Sequence, residues 1–96
     1  MLTIEKIKEL LTPIFKEYNV RNAVLFGSYA KGNATATSDV DICVDSGLRG
    51  LKFFGLLEDV VSALKLPVDL IDTSQIEHDS RVEKEIESSG VKIYGE

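Results

Sequence analysis

Gly27-Ser28, ten intervening residues, and then Asp39-Val40-Asp41 bring two kinds of chemistry close together in this chain. Glycine lets the backbone turn sharply and lets an anion approach main-chain N–H groups with no side chain in the way. Ser28 can cap the turn that follows, or its hydroxyl and the neighbouring N–H groups can grip a phosphate oxygen. The two aspartates offer hard oxygen ligands, which magnesium takes in ones and twos alongside water and substrate phosphate. Each half alone is commonplace, an ordinary strand-to-helix turn or a solvated acidic edge. Side by side they are the two halves of a site for a nucleoside triphosphate.

The elements that must hold them are legible nearby. Asp39-Val40-Asp41-Ile42-Cys43-Val44-Asp45 alternates with period two, the pattern of a half-buried strand. Val40, Ile42 and Val44 share one face, and Asp39, Asp41, Cys43 and Asp45 the other. Asp39 and Asp41 then point the same way, their Cα atoms roughly 6.6 Å apart at about 3.3 Å per residue. They can converge on one cation, or on a pair about 3.5–4 Å apart that activates an attacking oxygen and stabilises a leaving one. Ala23-Val24-Leu25-Phe26 reads as a buried strand ending at Gly27-Ser28, with Tyr29-Ala30-Lys31 a helical turn closed by Gly32. Lys31 could help neutralise phosphate, though an exposed lysine on a turn needs no function.

A third carboxylate lies in Pro67-Val68-Asp69-Leu70-Ile71-Asp72. Asp69 sits between strand apolars, where an ionised group is costly to bury without a partner. A metal ion, or the attacking hydroxyl it deprotonates, is such a partner. Asp72, at the strand's end, reads as a turn or helix-start residue.

Asp-x-Asp also opens the nucleophile strand of haloacid-dehalogenase-type phosphatases, where the apolar strand precedes the pair. Here Asn33-Ala34-Thr35-Ala36-Thr37-Ser38 precedes it, small and polar, so the carboxylates belong to a strand's beginning. That argues against the phosphatase arrangement.

Gly27-Ser28-Tyr29-Ala30-Lys31-Gly32 followed by Ser38-Asp39-Val40-Asp41-Ile42 resembles the signature of the minimal nucleotidyltransferases of the DNA polymerase beta superfamily. The resemblance extends over nearly the whole chain, residues 1–96, as one domain. Lys31 stands where an arginine is frequent. The resemblance implies that Gly27 and Ser28 hold the triphosphate, and that Asp39 and Asp41 bind two magnesium ions. Asp69 would complete the metal site and help activate the acceptor hydroxyl. It further implies transfer of a nucleoside monophosphate with release of pyrophosphate. Small members of this family often act as antitoxins of HEPN-type helical toxins, some by adding AMP from ATP to a toxin tyrosine. The alternative is a catalytically silent module that binds nucleotide or neutralises a toxin by occlusion.

For Gly27-Ser28 and Asp39 to line one site, the first two strands must run in opposite directions. The second and third, joined by a long helix, suit a parallel crossover. The expected fold is therefore α+β (α/β): a mixed four-stranded sheet packed with helices, Val91-Lys92-Ile93-Tyr94 closing it as an edge strand. The first helix carries Leu2, Ile4, Ile7, Leu10, Leu11, Ile14, Phe15 and Tyr18, with Pro13 predicting a kink or a second segment capped by Thr12. A middle helix from about Gly50 to Leu64 has an apolar stripe so wide that it is either all core or shared with a partner. Ser74-Gln75-Ile76-Glu77 reads as a capping box opening the last helix, which Gly90 ends.

Ninety-six residues, 44% hydrophobic, support one modest core. No apolar stretch approaches the roughly 20 residues needed to span a bilayer, and the start lacks a signal-peptide pattern. One cysteine, Cys43, cannot form an internal disulfide and fits a reducing, cytoplasmic setting. The only histidine, His78, falls in a polar helical stretch, so no histidine-based metal site is expected. A net charge of −5 is poorly suited to gripping nucleic acid, whereas metals can supply positive charge locally for a nucleotide. With no second domain read to cover the base or hold an acceptor, a second copy or another protein is expected to complete the site.

Overall fold

The computed structural model describes residues 2–95. In chain order the elements are α1 (Ile4–Glu17), β1 (Asn22–Phe26), α2 (Gly27–Lys31), β2 (Val40–Asp45), α3 (Leu51–Leu64), β3 (Val68–Asp72), α4 (Arg81–Ser89) and β4 (Val91–Gly95), with a 3-10 turn at Thr73–Gln75. The four strands form one sheet in the order β3-β2-β1-β4. β1 runs antiparallel to β2 and to β4, while β2 and β3 are parallel and joined through α3. The sheet is mixed, as the placement of Gly27 and Asp39 demands.

Inward positions of the strands meet α1 and α3 on one face. Ile7, Leu11 and Phe15 recur at helical spacing and are fully buried with Ala23, Leu25, Val40, Ile42, Val44, Leu56 and Val60. The opposite face is covered by α4, which packs on β1 and α2. Cys43 points that way and is buried, sharing a small cavity with Val24, Ile76 and Ile86. On that face of β2 only Cys43 is buried, while Asp41 and Asp45 stay half-buried.

Three local expectations are corrected. The first helix is continuous across Pro13, with Thr3 as its cap. Thr12 caps nothing; its hydroxyl donates to the Lys8 carbonyl at 2.6 Å. The capping box before the last helix is Asp72 with Gln75 rather than Ser74 with Glu77, and it opens only the 3-10 turn. α4 starts six residues later than a Ser74 cap suggested, at Arg81, where the Ser80 hydroxyl accepts from the Glu83 N–H. His78 therefore lies in a turn and not in a helix. Finally, the middle helix is not all core: Leu51 is 88% and Phe54 54% exposed, while Leu56, Val60 and Leu64 are buried.

Asp72 locks the end of β3. Its carboxylate accepts from the Ser46 N–H (3.1 Å) and hydroxyl (2.6 Å) and from the Ser74 N–H (3.0 Å) and hydroxyl (2.6 Å). Burial pushes its pKa up, but these four donors outweigh burial and hold it at about 2. A carboxyl held low contributes stability above its unfolded pKa near 4, and loses it as pH falls toward 2. Replacing Asp72 with Ala should therefore cost about 2 kcal/mol at pH 7, since four donors lose their acceptor. In urea unfolding the gap between wild type and variant should shrink as pH falls below about 4. Equal stability of the two proteins at pH 7 would refute this role.

Candidate active site

β1 delivers the chain to the site through Phe26, which lies opposite Asp41 in the antiparallel register. The next residue, Gly27, adopts φ +73° and is buried. A Cβ built on it would run into the Asp41 carboxylate, with Cγ at 3.1 Å and Cβ at 3.3 Å. Glycine is thus required twice over, for its backbone angle and for the closeness of Asp41. Gly27 itself opens α2, Ser28 is its second residue, and no side chain caps that helix. Gly32 ends the helix at φ +78°. From there a turn knitted by Thr35, Thr37 and Ser38, with the Ser38 hydroxyl accepting from the Thr35 N–H at 2.8 Å, leads into Asp39.

The three aspartates come to one corner of the sheet. Asp41 stands beside Asp69 in the parallel register of β2 and β3, strands that lie about 4.8 Å apart. Asp39 precedes Asp41 by two residues, just ahead of the β2 start at Val40, whose N–H donates to the Pro67 carbonyl at 3.0 Å. Asp69 is not buried among apolars: β3 is an edge strand, and Asp69 and Asp39 are exposed while Asp41 is half-buried. The expected cost of burying Asp69 is therefore absent, and its proximity to Asp41 is what distinguishes it.

Among the described residues, no donor is hydrogen-bonded or ion-paired to these three carboxylates. Burial, then repulsion from Asp69, Asp39 and Glu85, pushes Asp41 up to about 6. Glu85 is a fourth nearby carboxylate that sequence reasoning missed. It sits in a charged helix beside Ile86, and only the way α4 crosses the sheet brings it here. Its partner is Lys31, with Nζ 3.2 Å from Glu85 Oε1. By chemistry these oxygen ligands suit a hard divalent cation such as magnesium, although among the described residues the three carboxylates are not drawn within 4.8 Å of one another.

A second set of possible ligands lies elsewhere. His78, Asp79 and Glu83 have ligand atoms within 4.8 Å of one another. His78 pairs with Glu83 at 3.3 Å, and the Glu83 carboxylate accepts from the Asp79 N–H at 3.0 Å. Those contacts build the start of α4 and account for the cluster.

The polymerase beta nucleotidyltransferase family model matches residues 5–96. The chain belongs to that family. A Methanocaldococcus jannaschii protein named for protein adenylyltransferase activity is 37% identical over 99 residues, covering 97% of this chain and all of the relative. The protein adenylyltransferase MntA of Thermococcus cleftensis is 43% identical over 82 residues, covering 79% of this chain and 83% of that one. A toxin–antitoxin crystal structure with AMP-PNP matches with a TM-score of 0.74 and 29% identity, over 99% of this chain and 75% of its own. The α+β fold with a mixed four-stranded sheet is the nucleotidyltransferase fold of these relatives. Among the described residues no helix is long and apolar enough to cross a membrane.

The raised pKa of Asp41 has a stability consequence of definite sign. A carboxyl held above its ordinary value of 3.8 is most compatible with folding when protonated, so stability falls as pH rises through about 6. Without divalent ions, Asp41→Asn should raise Tm at pH 8 and leave it unchanged below pH 4. After discounting for solvent screening the gain is about 1 kcal/mol, or roughly 4–8 °C. Magnesium with nucleotide should raise the Tm of the wild type and not that of the variant. A variant less stable than wild type at pH 8 without metal would contradict the assignment.

Proposed function

We propose that this protein transfers AMP from ATP to a hydroxyl of a protein partner, the HEPN-type toxin of a toxin–antitoxin pair, in a magnesium-dependent reaction. The single observation that carries this reading is the pairing of Asp41 with Asp69 against the Gly27 turn. It brings acidic ligands to the side-chain-free Gly27 turn, with the Asp41 carboxylate packed directly against it.

In this reading Gly27 and Ser28 hold the triphosphate, the Ser28 hydroxyl being free of other hydrogen bonds among the described residues. Asp39 and Asp41 hold magnesium, as two ions, and Asp69 completes the set. The ions supply Lewis acidity at the transferred phosphoryl group and charge neutralisation for the triphosphate. Asp69, exposed on the edge strand, is open to an acceptor. It orients the acceptor hydroxyl and takes up its proton as the oxygen attacks the α-phosphorus and pyrophosphate leaves. The open, exposed position of Asp39 and Asp69 supports completion of the site by a partner chain, the toxin or a second copy.

The relatives named as protein adenylyltransferases support AMP as the group transferred and a protein as its acceptor. The toxin–antitoxin complex with AMP-PNP supports ATP as donor and a toxin as partner.

The test is incubation with α-labelled ATP, magnesium and the cognate toxin, read by intact-mass spectrometry. An AMP-sized increment on a toxin hydroxyl is expected. Asp39→Asn and Asp41→Asn should each reduce it by more than the roughly 10–100-fold that loss of an outer-shell metal partner costs. If no increment forms, and the Asp39→Asn, Asp41→Asn double variant still neutralises the toxin, the protein is instead an occluding or nucleotide-binding module.

A further inference from the structure

Lys31 and Glu85 form the one ion pair that bridges the phosphate turn and the last helix among the described residues. Lys31 closes α2, three residues after Ser28, so both side chains lie on one face of that helical turn. Its ammonium is 3.2 Å from Glu85. The Glu85 main chain is itself tied down, its carbonyl accepting from the Ser88 and Ser89 hydroxyls at 3.3 and 3.1 Å. Glu85 also repels Asp41. One carboxylate therefore engages the cation nearest the phosphate turn and adds negative charge to the corner where an anionic triphosphate must arrive.

Resting on the nucleotide site proposed above, we infer that Glu85 is a built-in competitor of the triphosphate. It holds Lys31 while the site is free, and nucleotide binding transfers Lys31 from carboxylate to phosphate. The exchange is easy because the pair is weak. The Lys31 side chain is 46% exposed and that of Glu85 half-buried at 24%, and an ion pair reached by solvent contributes little to stability. A charge-assisted contact to phosphate is stronger than that. The lysine stem is long and flexible enough to swing between the two anions without moving α2. Glu85 is in this sense a positioning residue acting through Lys31, and it sets the nucleotide concentration at which the site fills.

The test is a double-mutant cycle on the dissociation constant of AMP-PNP with magnesium, read by calorimetry on wild type, Glu85→Gln, Lys31→Met and the double variant. Glu85→Gln should tighten binding about three- to fivefold, the upper range of an exposed ion pair. Lys31→Met should weaken it. In the Lys31→Met background, Glu85→Gln should change affinity by less than about twofold, within the additivity limit. Circular dichroism of all four proteins excludes misfolding as the source of any difference. Two results would overturn the inference: wild type binds and Glu85→Gln is no tighter, or Glu85→Gln tightens equally in both backgrounds, as a through-space field alone would. A wild type that binds no nucleotide at all removes the parent reading, and this one with it.

Discussion

The parallel register that sets Asp41 beside Asp69 places like charges next to each other on adjacent strands, and among the described residues no hydrogen bond or ion pair relieves them. Such a cluster opposes folding at neutral pH unless something cationic is brought in. The rest of the architecture serves to tolerate it. β2 is anchored by Val40, Ile42 and Val44 in the core, so the strand cannot rotate its acidic face away. Gly27 gives up its side chain so that the Asp41 carboxylate fits against the turn. Repulsion held in place by packing leaves this corner short of positive charge.

Asp72 shows what the same residue type does when the surroundings differ. It lies three residues beyond Asp69 on β3 and is 5% exposed, yet its pKa is held at about 2 while that of Asp41 is pushed up to about 6. Four donors from Ser46 and Ser74 separate the two outcomes. Asp72 is complete in itself and closes the C-terminal end of the parallel pair. Asp41 is incomplete at the N-terminal end. Satisfied and unsatisfied carboxylates therefore occupy opposite ends of the same two strands, and their hydrogen-bond partners tell them apart better than burial does.

The parts of the chain legible from sequence are those where one local pattern decides the outcome. The Gly27-Ser28 bend, the period-two run from Val40 and the short third strand each follow from residue type and spacing, and their mutual directions follow from the need to share a corner. The parts that were not legible depend on which of several local options tertiary contact selects. Ser74 and Ser80 can both cap a helix, but the Asp72 network claims the first, so α4 begins at the second. Pro13 is accommodated because α1 is pinned along Ile7, Leu11 and Phe15 on both sides of it. Glu85 carries no sequence signal, since its neighbourhood exists only once α4 lies across β1.

Electrostatics on the larger scale constrain what the site can accept. A chain of net charge −5 repels extended polyanions over distances of about a Debye length, roughly 8–10 Å. A nucleotide already paired with divalent cations brings little net charge of its own and escapes that penalty. A long nucleic acid, needing many phosphate contacts, does not. The local cation available beside the phosphate turn is Lys31, and it is already shared with Glu85. Acidic net charge, with the lysine of the turn already engaged by Glu85, therefore disfavours extended polyanions more than it disfavours a small cation-paired nucleotide. Leu51 and Phe54, exposed along α3, show that apolar surface is also present in this protein.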